Sequence, residues 1–92
     1  MSQASVRRDG PVLTFTGPLE RAAVPALWAA ALPLLDGAGA IDLAGVPHVD
    51  SAGLALLAEL QARAGSRLAV VGEPEGLAGL RAAYRMDDNP GN

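Results

Sequence analysis

Short extended runs alternate with amphipathic helical runs along this chain, and that alternation restricts the fold more than any other feature. Residues 4–8 and 12–16 read as two strands around Asp9-Gly10-Pro11, where Asp9-Gly10 is a turn signal. Within residues 12–16, VLTFT puts Leu13 and Phe15 on one face and Thr14 and Thr16 on the other, and Gly17-Pro18 stops the run. From Glu20 to Leu35 the period becomes helical. At about 100° per residue, Val24, Leu27, Ala31, Leu34 and Leu35 share one stripe, with Trp28 and Leu32 on its flank. Pro25 is tolerable in a first turn, whereas Pro33 kinks or ends the helix. Gly37 and Gly39 open a loop before a strand over residues 40–44, with Ile41 and Leu43 inward. A helix is expected from Ser51 to Ala64, stopped by Gly65. RLAVVG, residues 67–72, lacks alternation and reads as a strand covered on both faces. Leu77, Leu80 and Tyr84 then mark a last helix, and the polar tail 86–92 is expected to fray.

The order strand, strand, helix, strand, helix, strand, helix predicts an α/β fold. It implies a mixed sheet of four to five strands, an N-terminal hairpin, parallel central strands and about three main helices packed on them. The length of 92 residues suits one domain, with its core over about residues 4–85.

Composition narrows the function classes. Half the residues are hydrophobic, which favours a packed core over disorder, and only Phe15, Trp28 and Tyr84 are aromatic. A formal charge of −3 disfavours nucleic acid and anionic membrane surfaces as partners. The absence of cysteine rules out disulfides, thiol catalysis and thiolate metal sites, and a lone His48 does not make a metal site. No cofactor is expected. The opening MSQASVRRDG lacks the apolar run of a secretory leader. The longest apolar stretch, residues 22–35, carries two prolines and falls short of the roughly 20 residues that span a bilayer. These features point to a soluble chain, most simply cytoplasmic, that reaches a membrane only through a protein partner.

The stretch PHVDSAGLALLAEL, residues 47–60, concentrates the chemistry. Asp50 and Ser51 are both residue types that cap helix N-termini, and a hydroxyl there is also a natural docking point or phosphorylation site. Gly53 costs about 1 kcal/mol of helix propensity relative to alanine, so it marks close packing against the sheet or preceding loop, or close approach by a partner's backbone. Leu57, Leu60 and Ala64 define a buried stripe with Leu54 and Leu56 at its edges. Glu59 and Arg63 are spaced for an exposed pair, and between Leu54 and Glu59 lies a face of Ala55, Ala58 and Ala62. That face suits docking, although alanine is also simply the best helix former. Trp28, on the flank of the first helix, is a residue type enriched at interface hot spots. Catalysis is not expected. His48, Asp50 and Ser51 lie too close along the chain to align a base between carboxylate and nucleophile, and neither G-x-S-x-G nor a phosphate loop is present.

The stretch IDLAGVPHVDSAGLALLAEL resembles the signature of STAS domains, the fold shared by sulfate-transporter tails and anti-sigma-factor antagonists. A strand ending in Asp42-Leu43 runs through a short loop to Asp50-Ser51-Ala52-Gly53-Leu54 at a helix start. VDSAGLALL, LTFTGPLE and PALW are similar to the MlaB-like branch, single-domain subunits of a phospholipid-transporting ABC system that maintains outer-membrane lipid asymmetry. That branch often carries threonine at the position of Ser51. The resemblance implies a non-catalytic accessory subunit, peripheral to the inner membrane, that binds the ATP-binding subunit and through it the permease. It implies partner contacts at Asp50, Ser51, Ala52, Gly53, Leu54, Trp28, Ala55 and Ala58. The alternative it leaves open is an anti-sigma-factor antagonist, phosphorylated on Ser51 by an anti-sigma-factor kinase.

Overall fold

The computed structural model describes residues 4–64 and 68–79. Strands β1 (Ser5–Asp9) and β2 (Val12–Thr16) form an antiparallel hairpin, with Asp9 opposite Val12 and Gly10-Pro11 as the two-residue loop. Gly10 has φ 56°, the left-handed conformation that the first position of such a loop takes in glycine at no steric cost. The turn is thus centred one residue beyond the Asp9-Gly10 signal.

The stretch read as one helix is divided by its prolines. A 3-10 turn over Arg21–Ala23 leads into α1 (Val24–Ala31), and a second 3-10 turn covers Leu32–Leu34. Pro25 sits in the first turn of α1, where a missing N–H costs nothing, while Pro33 cannot continue the α-helical ladder and tightens the chain into the 3-10 turn. Strand β3 (Ala40–Gly45), helix α2 (Ser51–Ala64) and strand β4 (Ala69–Val71) follow. Residues 77–79 are helical, within the stretch read as the last helix. Gly65, Leu80, Tyr84 and the tail 86–92 lie outside the described residues.

The four strands lie in the order β1-β2-β3-β4, with β2, β3 and β4 parallel. Leu13, Phe15, Ile41 and Leu43 point to one face, where Leu27, Ala31 and Leu35 from the α1 region and Leu54, Leu56, Leu57 and Leu60 of α2 complete the core. The opposite face is polar and more open: Ser5 and Thr16 share a 2.7 Å hydrogen bond across the hairpin. β4 corrects the expectation of a strand covered on both faces. It ends the sheet, Ala69 is exposed and Val71 is 54% exposed, because these two side chains lie on the open face. An apolar run without alternation does not by itself distinguish a central strand from such an edge.

Arg8 ties the hairpin to the end of the helical layer. Its guanidinium donates to the carbonyl oxygens of Leu34 at 2.7 Å and Asp36 at 2.9 Å, and also to that of Gly10. The Leu34 carbonyl ends the second 3-10 turn and that of Asp36 follows it, where helical carbonyls run out of ladder donors. Arg8→Ala is therefore expected to lower stability in urea unfolding by about 1–2 kcal/mol. Arg7→Ala, which removes only an exposed contact to Asp9, should stay within about 0.5 kcal/mol of the parent.

Candidate functional site

The three parallel strands all end at one edge of the sheet, and their outgoing connections continue side by side. Leu19 pairs with Val49 and His48 with Glu75 as isolated parallel bridges. The amide of Leu19 donates to His48 O at 3.0 Å, that of Asp50 to Leu19 O at 3.1 Å, and that of Val49 to Glu75 O at 3.0 Å. Asp42 lies within β3, which runs on to Gly45 past the Asp42-Leu43 of the motif, and its carboxylate accepts from the Ala44 amide at 2.9 Å. α2 starts from this hydrogen-bonded rim.

Asp50 is the cap. Its Oδ1 accepts from the Gly53 amide at 2.9 Å, three residues on, while its carbonyl accepts the first helical bond from Leu54 at 2.9 Å. Its Oδ2 accepts from the Arg21 amide at 3.1 Å, so one carboxylate serves the starts of two helical segments. The Gly53 amide holds the Asp50 carboxyl below its ordinary value; partial burial opposes this, and the amides of Arg21 and Ala52 and the nearby His48 reinforce it. Ser51, the first residue of α2, is exposed, and its hydroxyl makes no hydrogen bond to the described residues.

Gly53 is explained by packing. A Cβ there would come within 2.8 Å of Leu19 Cβ and nearer still to the Leu19 carbonyl oxygen. The glycine lets α2 lie directly on the connection leaving β2, and Leu54 beside it is buried. Neither faces solvent. His48 is a loop residue whose Nε2 lies 2.9 Å from Glu20 Oε2, both side chains being partly exposed.

Between α1 and α2 runs a shallow groove of about 360 Å³, lined by Val24, Trp28, Ala52, Ala55, Leu56 and Glu59. Of the residues singled out from the sequence, it brings together Trp28, Ala52 and Ala55, with Ser51 at the helix start beside it. Ala58 is not part of this lining and is half-buried. Val24, Leu56 and Glu59 were not singled out as a binding surface: the helical period assigns the first two to core-facing positions and the third to solvent. The expected Glu59–Arg63 pair is not formed; the Arg63 guanidinium lies over Trp28, 5.4 Å from the ring centre. No helix among the described residues is long and apolar enough to cross a membrane.

A strand-loop-helix unit that sets an Asp50-capped helix start with an exposed Ser51 hydroxyl at the C-terminal rim of a mixed sheet defines a small α/β domain. The family model described as "Mlab, STAS domain" matches residues 2–88, and the chain belongs to this family. Among solved structures, one described as "Crystal Structure Analysis of Mglu" is similar at 28% identity with a TM-score of 0.53. That match covers 77% of this chain and 19% of the other, so the chain spans about a fifth of the length of that structure. No curated protein matches.

Four substitutions at three positions test this construction by denaturant unfolding. Asp50→Ala should cost about 1–2 kcal/mol, whereas Ser51→Ala should change stability by less than about 0.5 kcal/mol. Because the folded Asp50 carboxyl is held below its ordinary value, its stabilisation is present above the unfolded value and is lost as pH falls below about 4 through the folded value. Asp50→Asn, which keeps a capping oxygen, should flatten that acid limb. Gly53→Ala should destabilise by about 1–3 kcal/mol despite alanine's better helix propensity, since the added methyl meets backbone that α2 cannot leave without repacking.

Proposed function

We propose that this chain is a non-catalytic accessory subunit that binds the ATP-binding subunit of a phospholipid-transporting ABC complex and supports its assembly or activity. The observation that carries the reading is the division of labour at the start of α2. Asp50 alone satisfies the cap, leaving the Ser51 hydroxyl exposed beside an apolar groove that includes Trp28. A hydroxyl that the fold does not use, next to an exposed apolar strip, suits recognition by another protein. ATP hydrolysis and lipid handling then belong to the partners, and the chain is cytoplasmic, held at the inner membrane through them. Membership of the Mlab-type STAS family supports this reading.

The same free hydroxyl favours a second reading, an anti-sigma-factor antagonist controlled by phosphorylation of Ser51, because a kinase can reach it without dismantling the cap. Affinity capture of the tagged chain from its own cells separates the two: recovery of the ABC ATP-binding subunit and permease supports the first, and recovery of a serine kinase supports the second.

Ser51→Asp should leave thermal unfolding near that of the parent, since a carboxylate is tolerated at a helix N-terminus, while greatly reducing pull-down of the ATP-binding subunit. Ser51→Ala should weaken the same binding by about 1–3 kcal/mol through the group left unpaired on the partner. Undiminished binding by both variants would reduce Ser51 to an ordinary surface residue and remove the basis of the proposal.

A further inference from the structure

The groove between α1 and α2 carries one charged side chain on an otherwise apolar lining. Val24, Trp28, Ala52, Ala55 and Leu56 form its walls, and Glu59 is the exception. On α2 the natural partner of Glu59 is Arg63, four residues on. Arg63 is turned over Trp28 instead, and the ion pairs among the described residues are Arg7–Asp9 and His48–Glu20. The Glu59 carboxylate therefore stands exposed at the groove with no described cation in ion-pair contact.

Covering this strip with an apolar segment strips water from that carboxylate, which is strongly unfavourable unless a cation arrives with the segment. The chain's net charge of −3 points the same way, and the nearby Arg63 guanidinium is engaged over the Trp28 ring rather than with this carboxylate. Resting on the reading of this groove as the docking face for the ATP-binding subunit, we infer that the segment of that subunit entering it is apolar and carries one lysine or arginine that pairs with Glu59. Ser51 and Glu59 are eight positions apart on α2, about 12 Å along its axis, which sets the spacing between the partner's cation and the group that meets the Ser51 hydroxyl. Glu59 is thus a specificity residue, selecting a basic, apolar segment over an acidic one.

The test is titration calorimetry of the full chain with the purified ATP-binding subunit, at low and physiological salt. Glu59→Gln should weaken binding about 10-fold and reduce its salt dependence, and Glu59→Lys should weaken it about 100-fold or more. Both variants should keep the parent's thermal unfolding, since Glu59 is exposed. If both bind as tightly as the parent while Ser51→Asp does not, the cation is absent and this inference falls with the interface reading intact. If the parent itself does not bind the subunit, the functional reading falls and the inference with it. Sedimentation showing a parent dimer that Glu59→Lys dissociates would overturn the inference by making a second copy of this chain the occupant.

Discussion

The close approach of α2 to the connection leaving β2 is the constraint from which the site follows. Gly53 lies against Leu19 at a distance no side chain permits, and the Asp50 amide donates to the same Leu19 carbonyl that Gly53 faces. Leu19 is itself fully buried in the core. The helix start is thereby fixed in height over the sheet by backbone and in orientation by a carboxylate that also holds the Arg21 amide. Since Arg21 opens the 3-10 turn leading into α1, the positions of α1 and α2 share one anchor, and the groove between them inherits its shape from it.

This anchoring separates two tasks that adjacent residues usually share. Asp50 stabilises the helix and makes four attachments, two through its carboxylate and two through its backbone. Ser51, one residue on, contributes none of these and projects outward. A substitution at Ser51 is therefore read by whatever touches the surface, while a substitution at Asp50 is read by the fold. The chemistry needed for a recognition site whose side chain can be altered or modified without unfolding the domain is contained in that offset.

Much of this was legible in the sequence. The hairpin, the inward alternation of Leu13 and Phe15, the limits of α2 at Ser51 and Ala64, and the role of Pro33 all follow from local period and local backbone chemistry. The partial exposure of Trp28 follows from its angle on the helix. What escaped depends on distant contacts. Asp50 and Ser51 are equally good caps by type, and only the path of residues 19–21 decides between them. The neighbour of Gly53 is more than thirty positions away in sequence. Arg63 has a helical partner at the right spacing, yet an aromatic ring from another helix wins it. Leu56 is a core residue and Val24 is half-buried, and only when the two helices are set side by side do their edges also line a groove. For β4, apolar composition was taken for burial, although strand position decides which apolar residues are covered.

The rim of paired connections beyond the sheet has one more effect. Residues 17–20, 46–50 and 73–76 are irregular in conformation but joined strand-to-strand by backbone hydrogen bonds, with Gly76 in a left-handed conformation, φ 91°, against Val49 O. Loops that must freeze when a partner arrives forfeit conformational entropy in proportion to the side chains and backbone they order. Here that ordering belongs to folding, so a partner of the kind proposed would meet a surface already set. Modest contact area could then yield useful affinity, with capture governed by encounter and the lifetime of such a complex by the few contacts at its centre.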